Sequence, residues 1–334
     1  MTRYHLYAIG NALVDSEYEV SDQQLQTMGV DKRHMTLIDA PRRTELLGRL
    51  HGAKSRRTGG GSAGNTVVAL SQLGGKAFYS CRVADDELGA FYTQDLLSHG
   101  VATNLTHTQQ RPGQTGSCMV MVTPDAERSM STFLGATADL DHTALHEADI
   151  ARSQVYYMEG YLAASPTGLA AALQGRAIAK AAGVALASTL SDVSMINFCR
   201  LGLDAIIGDG LDYLFCNEEE AQVWCATQDI AQICRQISQL ASTVCLTRGP
   251  LGCLVLNSGD QTAVPAAKVT AVDTNGAGDM FAGAFLYAVT HGHSRTQAAW
   301  LANQAAAQVV SQHGNRLSAA AMGDIKARFE QYLG

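Results

Sequence analysis

Residues 273–279 read Asp273-Thr274-Asn275-Gly276-Ala277-Gly278-Asp279, and an apolar helical pattern, Met280-Phe281-Ala282-Gly283-Ala284-Phe285-Leu286, follows without a break. Two glycines bracketing an alanine let consecutive backbone N–H groups turn toward one point, free of Cβ obstruction. The helix that opens there adds its own unsatisfied N–H groups and the positive end of its dipole. Such a corner suits an anion, most naturally a phosphate. Asp279 then stands out. A carboxylate beside a phosphate site is repulsive unless it does chemistry, such as taking the proton from an attacking hydroxyl. The alternative is a first-turn acidic residue that merely favours the dipole.

Working outward, 334 residues suit one large α/β domain, or a domain with a small appendage. With 46% hydrophobic and 16% charged residues the chain can bury a sizeable core and does not read as disordered. A net charge of −7 gives no basic footprint for nucleic acid or an anionic membrane. The cluster Lys54-Ser55-Arg56-Arg57 reads as a solvated loop beside a glycine run. Eight cysteines form no Cys-x-x-Cys pair and read as reduced, mostly buried thiols. The start, Met1-Thr2-Arg3-Tyr4-His5-Leu6, has no apolar signal core, and no run reaches membrane-span length. A cytoplasmic protein is expected.

Strand patterns fall at Tyr4–Ile9, Leu13–Val20, His34–Asp39, Gly116–Thr123 and Ser129–Leu134. After the first, their period-2 alternation predicts antiparallel strands with one wet face. Helical patterns cover Ala63–Leu73, Glu87–His99 and Gly168–Ala182. From about residue 150, apolar strands at Gln154–Met158, Val184–Ala187, Tyr213–Cys216 and Val244–Thr247 alternate with helices, as a parallel sheet requires. The expected fold is a three-layer α/β/α domain with a small β-sheet excursion built from two inserted segments, roughly 12–40 and 105–135. Ligands should sit at the C-terminal strand ends. Asp15 follows the first strand there, and an ionised carboxylate accepts paired hydroxyl hydrogen bonds, as from a sugar; a solvent-facing strand Asp would read the same. Gly59-Gly60-Gly61-Ser62-Ala63-Gly64-Asn65 launches a helix directly, so its glycines form an anchored approach to a ligand rather than a slack loop. Asn217-Glu218-Glu219-Glu220 closes a strand and opens a helix, where acidic residues are also expected on dipole grounds.

The 273–279 segment resembles the Asp-Thr-x-Gly-Ala-Gly-Asp motif of the ribokinase-like (PfkB) carbohydrate and nucleoside kinases, and the likeness spans nearly the whole chain. It implies that Asp279 is the catalytic base and that Gly276, Ala277 and Gly278 form the anion hole for the transferred phosphoryl group. Asp15, in Gly10-Asn11-Ala12-Leu13-Val14-Asp15, and Gly60, Gly61 and Asn65 would hold the sugar hydroxyls. Val83-Ala84-Asp85-Asp86-Glu87-Leu88-Gly89 is similar to a structural family segment, with Ala84 in place of the usual glycine. Asn217 and Glu220 match the Asn-x-x-Glu motif that organises Mg²⁺ and phosphate, the carboxylate acting through water. Thr247, Gly249 and Gly252 fall in the loop along ATP, and Asn303 is placed like a residue lining the adenine pocket, although a helix Asn is commonly polar surface. Asp273, Asn275 and Gln312-His313-Gly314-Asn315 lie where family members hold a monovalent cation, so K⁺ dependence is a hypothesis.

Four segments, the early Gly-Asn-x-Leu-x-Asp, Tyr157–Tyr161, Ser188–Asp192 and Phe215–Glu218, resemble adenosine kinases more than ribokinase. The first choice of reaction is therefore ATP-dependent phosphorylation of a nucleoside hydroxymethyl group, with Leu13, Leu37 and Leu134 as an apolar slot for a purine or else as ordinary lid packing. A sugar or sugar-acid kinase of the ribokinase, fructokinase or 2-keto-3-deoxygluconate kinase type is the alternative, and a silent nucleotide or sugar sensor a third. A Rossmann dehydrogenase is disfavoured because no Gly-x-Gly-x-x-Gly follows the first strand. The expected partner is a small molecule, with no nucleic acid and no membrane, and the protein a monomer or homodimer.

Overall fold

The computed structural model describes residues 4–334 apart from 54, 108–111, 126 and 258, and the side chain of Ser55. The strands are β1 (Tyr4–Ile9), β2 (Leu13–Glu19), β3 (Met35–Leu37), β4 (Ser55–Gly60), β5 (Ala77–Ser80), β6 (Ala102–Thr103) and β7 (Ser117–Val122). They continue as β8 (Arg128–Phe133), β9 (Ser153–Met158), β10 (Ala185–Thr189), β11 (Leu211–Asn217), β12 (Ala241–Thr247), β13 (Cys253–Asn257) and β14 (Asp260–Val264). Nine of them form one sheet in the order β14-β13-β12-β11-β10-β9-β1-β5-β6. It is parallel from β12 to β6 and ends in the antiparallel β12–β13–β14 meander.

Alternation along each strand divides the apolar side chains between two cores, as a sheet covered on both faces demands. Leu6, Ala8, Tyr157 and Phe215 pack on one side with the helices Ser62–Gln72, Ala277–Thr290 and Arg295–Val310. Tyr7, Ile9, Tyr156 and Leu214 pack on the other with helices that include Pro166–Ala181 and Arg200–Ile207. This is the expected three-layer ribokinase-like architecture.

The small sheet runs β3-β8-β7-β2-β4 and differs from expectation in two respects. It is mixed: β2 pairs antiparallel with β4 but parallel with β7, and β3 runs parallel to β8. Period-2 alternation reports one wet face and says nothing of strand direction. A third segment also joins. Ser55–Arg57, part of the cluster read as a solvated basic loop, opens the edge strand β4, because arginines are tolerated where one flank of the strand is open. Arg57 pairs there with Glu87 at 2.6 Å. Lys54, Met1–Arg3 and positions 108–111 and 126 of the second inserted segment lie outside the described residues.

One face of this sheet, with Tyr18, Met119 and Met121, packs on Leu25, Met28 and Leu46 of two covering helices, Asp22–Met28 and Ala40–Arg49, and on Leu50 just beyond the second. By register, the opposite face carries Leu13, Asp15 and Glu17 beside Cys118, Val120, Arg128, Met130 and Leu37. That face looks onto the strand ends of the large sheet.

The helices Ser62–Gln72 and Ala277–Thr290 approach closely at Gly283, where an added Cβ would lie 2.5 Å from the Thr66 carbonyl oxygen and 2.7 Å from Ala69 Cβ. This proximity brings their N-terminal ends together. Gly283→Val overpacks the contact and should lower stability by about 1–3 kcal/mol, seen as a lower urea midpoint. An unchanged midpoint would contradict the close packing.

Candidate active site

Asp279 stands in the first turn of the Ala277–Thr290 helix, whose N-cap is Gly276 at φ 76°. The left-handed backbone there turns the chain into the helix, and a Cβ on Gly276 would strike Asn315 Cβ at 2.7 Å. Both Asp279 oxygens are held from the neighbouring helix. The Ser62 hydroxyl donates to Oδ1 at 2.6 Å and the Asn65 amide to Oδ2 at 2.9 Å. Burial pushes this carboxyl up to about 6, against those two hydrogen bonds and the Arg316 charge, which favour the ionised form. Of the proposed anion-hole amides, Ala277 N–H makes a long 3.3 Å turn bond to the Thr274 carbonyl.

The predicted acceptor residues converge on this carboxylate. Asn65 touches it directly. Gly61, at φ 84°, leads into the helix where a Cβ would come within 2.1 Å of the Asn11 carbonyl oxygen. Gly60 leaves room for the Asp15 carboxylate, which would meet a Cβ at 2.5 Å. Asp15 accepts from the Asn315 amide at 3.1 Å, and burial raises it to about 7. Leu37 and Leu134 line a cleft of about 770 Å³ with Gln114, Phe133 and Arg82, and Leu13 and Leu134 both lie against Gly116.

A cavity of about 630 Å³ opens from Asp279 along the strand ends. Its walls include Ser62, Tyr157, Asn217, Glu220, Thr247, Gly249, Gly252, Gly278 and Asn303. Asn217 and Glu220 form a reciprocal cap, Glu220 N donating to Asn217 Oδ1 and Asn217 N and Nδ2 donating to the carboxylate at 3.1 and 2.6 Å. Burial raises Glu220 to about 7, so a nearby cation would favour its ionised form. No group of three or more His, Cys, Asp or Glu arranged to hold a metal occurs among the described residues. One carboxylate, with both oxygens already accepting from Asn217, fits magnesium held through its own waters and a nucleotide. Asn303 is buried rather than polar surface, and its amide donates to the Val264 and Pro265 carbonyls at 2.9 and 3.2 Å, fixing the cavity's far wall. Asp273 is buried too, and its carboxylate takes Asn275 N, Gly314 N and, at 3.0 Å, the Arg128 guanidinium of the small sheet. This leaves backbone carbonyls, not the carboxylate, to hold any monovalent cation.

Sequence reasoning assigned no role to Ser62, Glu159, Arg128 or Arg316. Glu159, buried at the end of β9, accepts from Asn11 N, Asn11 Nδ2 and Ala63 N at 3.2, 2.9 and 2.8 Å. It thereby ties the turn after β1 to the start of the Ser62–Gln72 helix, and burial raises it to about 7. The adenosine-kinase-like stretch Tyr157–Tyr161 contained it, but a lone Glu after a strand carries no local signal of two backbone donors and a side-chain amide distant in sequence. Arg128 and Arg316 meet their partners only through the fold.

Four carboxyls with raised values share this region. Each stays protonated in the folded protein at pH values where the unfolded chain has lost the proton. The folded state therefore binds more protons between about pH 4 and 7, and stability falls as pH rises through that window. The ligand-free protein should show a lower Tm at about pH 8 than at about pH 5.5. A Tm that climbs steadily over that range would show that these groups are not desolvated.

Comparison with known proteins agrees with this geometry. The pfkB family carbohydrate kinase model matches residues 34–321. The structure of a probable sugar kinase protein from Rhizobium etli superposes with a TM-score of 0.89 at 34% identity, covering 98% of this chain and 100% of that one. Adenosine kinase from Sinorhizobium meliloti gives 0.88 at 34%, covering 97% and 99%. Adenosine kinase of Schizophyllum commune is 26% identical over 323 residues, 87% of this chain and 90% of its own. The chain belongs to the pfkB family of carbohydrate kinases. It is a phosphotransferase of the sugar and nucleoside kinase class. Among the described residues no helix is long and apolar enough to cross a membrane.

Proposed function

We propose that the protein transfers the γ-phosphoryl group of ATP to the hydroxymethyl group of a nucleoside, with adenosine giving AMP as the first choice, a reaction of cytoplasmic purine salvage. The observation that carries this reading is the hydrogen-bonded carboxylate of Asp279 at a helix N-terminus, in the wall of a nucleotide-sized cavity. The acceptor hydroxyl takes the place of the Ser62 hydroxyl at Asp279 Oδ1. Asp279 removes its proton as the oxygen bonds to the γ-phosphorus and the bond to the ADP oxygen breaks. The N–H groups of Gly276, Ala277 and Gly278 face the charge spread over the phosphoryl oxygens. Asn217 and Glu220 would hold magnesium through water, which when bound neutralises phosphate charge. Asp15 and Asn65 orient the sugar, and the small sheet acts as a lid that excludes water.

A base on the acceptor is favoured by the second cleft, since Leu37, Phe133 and Leu134 offer apolar surface beyond what a free sugar needs. Adenosine kinases of similar length support the same choice. A sugar kinase is the second reading, supported by the Rhizobium etli neighbour. The test is ATP consumption with Mg²⁺ against adenosine, inosine, guanosine, ribose, fructose and 2-keto-3-deoxygluconate. We expect turnover with adenosine, and at least about 10²-fold lower kcat in Asp279→Asn. Turnover confined to a free sugar would overturn the acceptor, and near wild-type kcat in Asp279→Asn would overturn the base.

A further inference from the structure

Arg316 lies directly behind the catalytic carboxylate and takes no part in the chemistry proposed above. Its side chain is 8% exposed and pairs with Asp95 of the helix Glu87–Ser98. Its Nε donates to Asn65 Oδ1 at 3.3 Å. Asn65 in turn presents Nδ2 to Asp279 Oδ2 at 2.9 Å. The four side chains thus form one line, Asp95–Arg316–Asn65–Asp279, crossing from one helix through the segment after residue 314 to the two helices of the site.

The pair is built into the fold. Gly59 of β4 lies against it so closely that a Cβ would fall 2.3 Å from Asp95 Oδ2 and 2.7 Å from Arg316 Nη2. The glycine run therefore serves two purposes, since Gly60 and Gly61 make room for Asp15 and Asn11 while Gly59 makes room for the ion pair. Among the described residues Arg316 Nη2 has no hydrogen-bond partner, so packing and the Asp95 and Asn65 contacts alone hold the guanidinium.

An amide side chain has one accepting and one donating end, and a half-turn exchanges them. With Arg316 Nε donating, the oxygen of Asn65 must face the guanidinium and its NH₂ must face Asp279. The reversed amide would set two donors against each other at Arg316 and an oxygen against the carboxylate at Asp279. We propose that Arg316 is a positioning residue for phosphoryl transfer, which, gripped by Asp95, locks the Asn65 amide with its N–H toward Asp279 and so fixes the aim of the base. The proposal rests on Asp279 being that base. The nucleotide end of the cavity, at Thr247, Gly249 and Asn303, is untouched by this line, so nucleotide affinity is independent of it.

The experiment measures kcat, KM for each substrate and the Kd of a non-hydrolysable ATP analogue in wild type, Arg316→Lys, the double variant Arg316→Gln/Asp95→Asn and Asp279→Asn. The double variant removes the pair without leaving a buried charge unpartnered. Arg316→Lys keeps the charge on Asp95 but lacks the fork that reaches two partners at once. We expect kcat to fall about 10- to 100-fold in the double variant and several-fold in Arg316→Lys, the range for a misaimed reacting group, with analogue Kd within about twofold of wild type. Wild-type kcat in either Arg316 variant overturns the proposal, as does a loss of kcat matched by an equal loss of analogue-binding sites, which marks a purely structural pair. If the double variant does not fold, Arg316→Lys decides alone. An active Asp279→Asn would instead overturn the assignment of the base, a result distinguishable from failure at Arg316.

Discussion

One contact organises this molecule: the carboxylate of Asp279, at the head of one helix, held on both oxygens by Ser62 and Asn65 at the head of another. A desolvated carboxylate is tolerated only where hydrogen bonds and positive potential replace water. Here two side-chain donors and the N-terminal ends of two adjacent helices do so. The requirement reaches far into the fold. It demands that the helices touch, hence Gly283 against Thr66 and Ala69. It demands that the turn after β1 and the Ser62–Gln72 helix keep a fixed relation, which Glu159 enforces by accepting from both.

Charge is distributed unevenly around that contact. Asp15, Glu159, Glu220 and Asp279 are all desolvated carboxyls, and the charge of Asp279 adds to burial in raising the other three. Against them stand Arg316, on the body, and Arg128, on the small sheet. Arg128 bridges Glu17 of its own sheet and Asp273 of the 273–279 loop, each at 3.0 Å. The loop shaped by Asp273 is thus fastened to the covering sheet by an ion pair. The excess of carboxyls fits a site whose ligands are polyhydroxylated and whose remaining charge arrives with a metal.

The sequence was most informative where function is local. Asp279 and its glycines, the Asn217–Glu220 cap and the glycine run before Asn65 are contiguous segments whose geometry follows from residue type and helix position. Strand positions for the large sheet were legible because buried parallel strands are apolar runs. The short β5 and β6 and the β13–β14 hairpin were not found, since a four-residue apolar run between turns has no distinctive period. Strand direction in the small sheet was invisible for a similar reason, and the stretch through Ser55–Arg57 looked like a loop because an edge strand tolerates charge. Glu159, Arg128 and Arg316 were illegible for a deeper reason. Each is an isolated polar residue whose partners are distant in sequence, so its role exists only once the chain has folded. Asn303 shows the converse: its position was expected at the cavity wall, but only the structure shows that its amide holds backbone carbonyls.

The central claim is that Asp279 is a buried base whose value is set by desolvation, and the pH dependence of kcat/KM for the phosphoryl acceptor tests it most directly, because that profile reports groups of the free enzyme. A base must be ionised to accept a proton. With Asp279 at about 6, and Asp15 and Glu159 near it at about 7, activity should climb steeply as pH rises from about 5 to about 8 and then level. A profile flat across that range, or one whose acid limb lies near the ordinary carboxylate value of about 4, would contradict the account.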